Sequence, residues 1–324
     1  MKTILVTGGA GYIGSIVSRR LIEKGYKVVI YDNLSRGNKN SLPKDIPFVQ
    51  GDIDDKKLLL TVLKEHNIGA VMHFAAYAYV GESVENPLLY FENNLRKSVS
   101  FLEILRVNNI QKFIFSSSCA AYGIPEKVPI TENEKRSPIN PYGLSKILLE
   151  RALQVYDYSY GIKHVIFRYF NAAGAAYGIG EDHGPETHLI PLVLQACLDK
   201  KNTVNVFGKD YPTSDGTCIR DYVHVLDLAD AHIAALSYLE KNDSNCFNLG
   251  TGKGMSNLEI IKLCEQVTGK KPQINFAPRR AGDPPVLFAK AEKARKELNW
   301  TPKYSMKEII ESAWEWHKKN PKGF

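Results

Sequence analysis

Apolar positions along the chain alternate between two rhythms. Short continuous runs, "ILVT", "KVVIYD", "IPFVQGD", "AVMHFA", "KFIFSSS" and "HVIFRYF", read as strands buried on both faces. Between them, apolar residues recur at helical spacing near Ile13 to Lys24, Lys56 to His66 and Pro87 to about Val107, and again in "LSKILLERAL" after Pro141. Proline suits a first helical position, so Pro141 marks where that last helix begins. Strand, helix, strand at this rhythm means parallel strands joined by crossovers, because parallel neighbours cannot be linked by a tight turn. The expected fold class is α/β, a doubly wound parallel sheet with helices on both faces.

After Phe170 the pattern loosens into loops rich in Gly, Pro and Asp, "NAAGAAYGIGEDHGPETH" and "GKDYPTSDGTCIRDYVH". Loops of that length in a compact enzyme are binding elements more often than linkers. Residues 1–171 are therefore expected to form the nucleotide-binding domain and 172–324 a second, smaller α/β substrate-binding domain. The segment at about 218–245, with "YVHVLDLADAHIAAL", is expected to pack back on the first sheet.

Composition narrows the class. At 324 residues, 44% apolar and 24% charged, the chain has the makeup of a soluble protein with a large core. A net charge of +7 without a basic run suits an anionic small molecule and argues against nucleic acid as partner. No apolar run reaches the roughly 20 residues that span a bilayer. "MKTILVTGGAGYIG" runs into a glycine turn rather than a cleavage site, so a cytoplasmic protein without a membrane partner is expected. Cys119, Cys197, Cys218, Cys246 and Cys264 are odd in number and never CxxC, which argues against a disulfide framework and a zinc site. His183 and His188 flank "GPET" with no Cys or carboxylate read at ligand spacing beside them, and no metal is expected.

"LVTGGAGYIGS" follows the first strand and opens a helix, with Gly9, Gly11 and Gly14 as GxGxxG, or Gly8, Gly11 and Gly14 as GxxGxxG. Such glycines let backbone approach a pyrophosphate, whose charge the helix N-terminus stabilises, as in the Rossmann dinucleotide fold. Asp32 in "IYDNLS" ends the second strand, where a carboxylate accepts from a ribose hydroxyl and repels a 2′-phosphate. NAD is thus expected over NADP, with Arg36 as the contrary signal. Asp52 and Ile53 in "GDIDD" stand where a third strand would end beside the adenine.

"NPYGLSKILLE" puts Tyr142 and Lys146 on one helical face. A phenol with an unperturbed pKa near ~10 is a poor base at neutral pH, but a nearby ammonium and a positive nicotinamide both favour the phenolate. "FSSSCAAYG" ends another strand, so Ser116, Ser117 and Ser118 lie at the carboxyl edge, where ligands bind in this architecture.

A strand-end serine followed by YxxxK on a helix resembles the short-chain dehydrogenases/reductases, with Ser118, Tyr142 and Lys146 as the catalytic triad. "TGGAGYIGS", "DNLS", "HFAAYAYVGES", "FSSSCAAYG", "PYGLSK", "FRYFNAAGA", "RDYVHVLDLADAH" and "FNLGTGKGMSNLEI" together resemble the UDP-glucose 4-epimerase family of the extended branch, nearly end to end. The resemblance implies reversible 4-epimerisation of a UDP-sugar through a 4-keto intermediate, on NAD that stays bound and returns unchanged. It implies NAD contacts at Gly8, Gly11, Tyr12, Ile13, Asp32, Asn33, Asp52, Ile53, Phe74, Asn93, Tyr142, Lys146 and Tyr169, beside Gly14 of the turn and Ser116 at the strand edge. It implies UDP contacts at Asn171, His188, Leu189, Asn205, Phe207, Arg220, Arg280 and Asp283, and a homodimer formed through the helices starting near Pro87 and Pro141. Arginine suits the pyrophosphate because its fork pairs with two oxygens and stays charged. Ile13, Phe74 and Leu189 read equally well as core.

Three departures stand out. Ala78 in "AYAY" replaces a lysine that relatives often place near the cofactor phosphates. His188 replaces a common asparagine. Leu287, expected to wall the sugar's C2 substituent, lies in size between the tyrosine of plain-hexose enzymes and the smaller residues of N-acetyl-sugar enzymes. An enzyme acting mainly on UDP-N-acetylglucosamine is the alternative. A 4,6-dehydratase would need Asp-Glu where Cys119 and Ala120 stand, and a non-catalytic NAD sensor would not need the triad.

Overall fold

The computed structural model describes residues 2–199, 203–280 and 283–324. The first half runs β1 (Thr3–Thr7), α1 (Tyr12–Glu23), β2 (Val28–Asp32), β3 (Phe48–Gln50), α2 (Lys56–Glu65) and β4 (Ile68–His73). It continues through α3 (Val80–Glu85), α4 (Pro87–Tyr90), a π-helical stretch (Phe91–Arg96), α5 (Lys97–Val107), β5 (Lys112–Ser118), α6 (Pro141–Tyr160) and β6 (Lys163–Tyr169). The single helix expected from Pro87 to Val107 is thus widened in its middle. There Asn94 turns its buried amide to both backbone groups of Tyr77, at 2.8 and 2.9 Å, and such π-turns recur at functional sites.

The second half holds β7 (Asn171–Ala173), α7 (Leu189–Leu198), β8 (Thr203–Phe207), β9 (Ile219–His224), α8 (Val225–Tyr238) and β10 (Asn245–Leu249). It ends with β11 (Gly254–Ser256), α9 (Asn257–Thr268), β12 (Gln273–Ala277), β13 (Val286–Leu287), α10 (Glu292–Glu297) and α11 (Met306–Lys319).

Seven strands form one parallel sheet in the order β3, β2, β1, β4, β5, β6, β10. Alternate residues point to opposite faces. Ile4, Val6 and Ile30 meet Val17 and Leu21 of α1 and Leu228 and Ala235 of α8. Leu5, Val29 and Val71 meet Leu59 of α2, Phe101 of α5 and Leu149 and Leu153 of α6. The chain order reverses between β1 and β4, so the loops leaving those strands diverge and open a crevice at their carboxyl ends.

Over that edge lie a small sheet of β7, β9, β11 and β13 and a parallel pair, β8 with β12. Helices α7, α9 and α11 bury Val193, Leu194, Ile260, Ile261, Ile309 and Ile310 behind them. The five cysteines are free. Among the described residues, no helix is long and apolar enough to cross a membrane.

Candidate active site

One cleft runs from the β1–α1 turn to β13, and every residue expected to touch cofactor or substrate lines it. At its floor Gly8 takes φ +71°. A Cβ there would come within 2.4 Å of Ala75 N, and one on Gly14 within 2.3 Å of Gly8 O. Backbone therefore packs on backbone where only glycine fits. Gly11 precedes α1 without capping it by a side chain, so the first amides of the helix are left for an anion. These features fit a dinucleotide pyrophosphate.

Asp32 accepts the amides of Ala10 and Leu34 at 3.0 and 2.8 Å, one on each oxygen. Burial pushes its pKa up, and the two amides only partly offset this. Asp52 is held by Lys97 at 2.6 Å and Asn33 at 3.0 Å. Burial would raise Asp52, but these donors outweigh it and keep the carboxyl below its usual range. Ile53 packs in the core beneath, while Ile13 and Phe74 are partly buried against the α8 side, so these apolar positions serve core and cleft together. Arg36 is ion-paired with Glu82 and lies 4.9 and 5.0 Å from the ring centres of Tyr77 and Tyr79. The cation that would welcome a 2′-phosphate is already engaged, against the stretch where Ala78 replaces lysine.

The centre of the cleft is built on β5 and α6. Asn140 caps α6 by accepting the Gly143 amide at 2.8 Å, so Pro141 opens the helix and its first turn faces the strand end. Tyr142 lies beside Ser118, whose hydroxyl lowers the phenol's pKa against the larger effect of burial and whose Oγ accepts the Ala120 amide at 3.1 Å. Lys146 donates to Ser116 O at 2.8 Å, and its ammonium lies 5.7 Å from the Tyr142 ring centre. Ser116 Oγ and Tyr169 share a short hydrogen bond.

The electrostatics differ from the sequence expectation. Burial pushes Tyr142 up to about 12, with Ser118 offsetting part of the rise. Burial also pushes Lys146 down to about 7, against the pull of Glu150. The buried ammonium spends its hydrogen bond on a backbone carbonyl, so the protein alone favours the neutral phenol. A positive charge bound in the cleft has to supply the rest of the bias toward phenolate.

Toward the second half, Asn171 donates to Asp221 O at 2.9 Å, and Asn205 accepts from Asn275 at 2.9 Å. Arg220 and Arg280 converge on Asp283 at 3.6 and 3.3 Å, and Arg280 lies 4.7 Å from the Phe207 ring centre. Two guanidinium groups share one carboxylate, which leaves net positive charge for a diphosphate. Leu189 is partly buried against the α7 core and still lines the cleft. Leu287 is buried with Tyr122, Ile130, Phe170 and Ala289, forming an apolar wall.

His188 precedes α7. It bonds Glu186 at 2.8 Å and lies 3.1 Å from Glu181. Burial would lower its pKa, but the two carboxylates outweigh burial and raise it to about 9. Here a sequence inference needs correction. Carboxylates do stand beside His183 and His188, because the loop folds Glu181 back between them. Their chain spacing gives no helical or strand register from which this could be read.

A buried network that no motif in the sequence announces lies behind the centre. Glu150 accepts from Ser117 Oγ at 2.5 Å and from Arg168 at 3.0 and 2.5 Å. Arg168 reaches Tyr122 OH at 3.0 Å, which donates to Asn248 at 2.6 Å. Two signals were present: Glu150 stands one further turn along the Tyr142–Lys146 face, and an arginine interrupts the otherwise apolar run "HVIFRYF".

With the geometry in hand, relatives can be compared. The pattern defining the NAD dependent epimerase/dehydratase family matches residues 4–250. The chain is 48% identical to a UDP-glucose 4-epimerase of Halalkalibacterium halodurans, over 99% of this chain and 97% of that one. A crystal structure of a UDP-glucose 4-epimerase superposes with a TM-score of 0.96 at 46% identity, covering 100% of this chain and 99% of that one. The UDP-glucose 4-epimerase from Bifidobacterium longum, crystallised in complex with NAD+ and UDP, superposes with a TM-score of 0.95 at 39% identity, covering 100% of both chains.

Proposed function

This chain belongs to the NAD dependent epimerase/dehydratase family, and on that premise we propose that it reversibly epimerises UDP-glucose and UDP-galactose at C4 with tightly bound NAD. The observation that carries this reading is the gathering of Ser118, Tyr142 and Lys146 beside the glycine cradle, with Cys119 and Ala120 where an elimination would need an acid and a base.

Gly8, Gly11, Tyr12, Ile13 and Gly14 hold the pyrophosphate end of NAD, Asp32 and Asn33 the adenosine ribose, and Asp52 and Ile53 the adenine side. Phe74, Asn93, Ser116, Tyr169 and Lys146 would line the remainder of the cofactor site. The chemistry NAD would supply there is reversible acceptance of the C4 hydrogen with its electron pair. Tyr142 receives the proton of the sugar 4-hydroxyl while Ser118 holds that oxygen, Lys146 would reach the nicotinamide ribose, and the positive charge of the bound cofactor would supply the bias toward phenolate. The 4-keto sugar turns over while Asn171, His188, Leu189, Asn205, Phe207, Arg220, Arg280 and Asp283 retain the nucleotide. The C4 hydrogen then returns with its electron pair to the opposite face of C4, and Tyr142 returns the proton to the C4 oxygen. In this reading residues 1–171, with the returning segment at about 218–245, bind NAD and 172–324 bind the UDP-sugar.

The enzyme works in the cytoplasm as a homodimer. Support for the dimer comes from apolar side chains exposed on α4 and α6, where Leu88, Leu144, Leu148 and Val155 face outward. The test of the activity is direct: purified protein converts UDP-galactose to UDP-glucose with no NADH appearing in solution in step with product. Stoichiometric free NADH would make it a dehydrogenase instead. A second reading, preference for UDP-N-acetylglucosamine, rests on Leu287 being smaller than tyrosine, and a panel of UDP-sugars decides it.

A further inference from the structure

The loop at 178–188 brings three proton-binding side chains, Glu181, His183 and His188, to one point at the rim of the cleft, with Glu186 bonded to His188 beside them. Glu181 Oε1 lies 3.3 Å from His183 Nε2 and 3.1 Å from His188 Nδ1. Glu186 Oε1 lies 2.8 Å from the same His188 nitrogen. Ligating atoms of Glu181, His183 and His188 all fall within 4.8 Å of one another. Around a tetrahedral ion with bonds of about 2.0–2.1 Å, neighbouring ligands are separated by about 3.4 Å, close to the 3.3 and 3.1 Å that separate Glu181 from the two histidines.

A second observation points the same way. The side chains of Glu181 and Glu186 are both only 7% exposed. Glu186 Oε1 accepts the amides of Thr187 and His188 at 2.7 and 2.8 Å, but its Oε2 is buried with no hydrogen-bond partner. A buried carboxylate oxygen with nothing to accept is rare, and a donor or cation brought in from outside the chain would satisfy it. The proton path at Ser118, Tyr142 and Lys146 uses none of these groups.

We propose that Glu181, His183 and His188 bind one divalent transition-metal ion. Two imidazoles with one carboxylate favour zinc and its neighbours over magnesium or calcium, which prefer oxygen ligands alone. The ion is a staple and takes no part in the epimerisation. His183 packs edge-on against Tyr12, at 6.5 Å between ring centres, and against Tyr79, at 5.7 Å. Fixing that imidazole fixes the loop against the glycine turn and α3. Cys and His spacing gave no warning of the site, because its carboxylate meets the histidines only once the loop is folded.

The test uses the full chain, stripped with EDTA and dialysed, then titrated with cobalt(II). The expected result is a visible d–d absorption that saturates at one equivalent and is abolished by equimolar zinc but not by millimolar magnesium. Glu181→Gln and His183→Ala, checked for retained NAD, should each weaken cobalt binding at least tenfold. Zinc should also shift the ring signals of His183 and His188, and not those of the other six of the eight histidines, in a ¹H–¹⁵N spectrum of the unaltered chain. That reading stands even if a variant fails to fold. Absence of the saturable band, displacement by magnesium, unchanged affinity in both variants, or shifts confined to other histidines would each overturn the assignment.

Discussion

Tyr142 and Lys146 stand on one helix whose next turn carries Glu150, locked to Arg168 of the neighbouring strand by bonds of 3.0 and 2.5 Å. Asn171, His188, Asn205, Arg220, Arg280 and Asp283, in contrast, come from separated loops and strand ends, and Arg280 and Asp283 meet only at 3.3 Å across a partly exposed pair. The first region is regular structure over a buried polar network, and the second is a set of adjustable arms. That difference matches the work assigned to each. A proton must be passed at one fixed atom, whereas a nucleotide must be held while its sugar turns over. Exposed charge pairs contribute little to stability and rearrange easily, whereas a buried pair is costly to break because it leaves an unpaired charge inside.

The largest expected effect lies at the fixed atom. Tyr142→Phe should lower kcat roughly 100- to 10,000-fold, the scale of general acid–base catalysis, while UDP binding persists. Steady-state kinetics with a UDP binding isotherm checks this, and near-normal turnover would dissolve the contrast between the two regions.

Next comes the network beneath. Arg168→Met leaves Glu150 buried and unpaired, which should cost about 3–5 kcal/mol in urea unfolding. Replacing Glu150 by Gln as well should recover much of that loss. If Arg168→Met proves silent, the rigid half is no more locked than the other.

Lys146 gives the comparison a pH signature. Its folded pKa is depressed from 10.5 to about 7 by burial. Below pH 7 both folded and unfolded chains carry the proton, and burying the ammonium weighs fully against folding. Between pH 7 and 10.5 the unfolded chain holds the extra proton, so stability rises with pH through that window. Urea midpoints across the window should rise more steeply for the parent protein than for Lys146→Met. Parallel curves would show that Lys146 is not desolvated.

The smallest effect belongs to the sugar wall. Leu287→Tyr should reduce kcat/KM for UDP-N-acetylglucosamine relative to UDP-glucose by about 5- to 150-fold, the equivalent of ~1–3 kcal/mol of overpacking. An unchanged ratio removes Leu287 from the pocket wall.

The same contrast decided what could be read from the sequence. Strands β1, β2, β4, β5 and β6 announce themselves as apolar runs because a parallel sheet is covered on both faces. Tyr142 and Lys146 are legible because one helical turn fixes their neighbourhood. The seventh strand, "NCFNL", has only alternating apolar residues and pairs with β6 across more than seventy residues of intervening chain, so no local period reveals its place. Asp52 was legible as a strand-end acid, but its partner Lys97 was not, since the pair forms between β3 and the distant start of α5. Glu181 escaped notice for the same reason. Local periodicity reports helices and strands, and loops that meet through tertiary folding leave no such trace.

The central claim is that the hydrogen leaving C4 is kept in the cleft and returned to the sugar it left, while Tyr142 carries only the proton of the 4-hydroxyl. The direct measurement is to incubate the purified, NAD-loaded protein with UDP-galactose deuterated at C4 in ordinary water and to analyse UDP-glucose by mass spectrometry. The account predicts that the deuterium is retained in the product and absent from solvent. Product that has exchanged its C4 label for a solvent proton would contradict it, because proton abstraction at carbon would then have replaced the oxidation and return on which the roles of Ser118, Tyr142 and Lys146 depend.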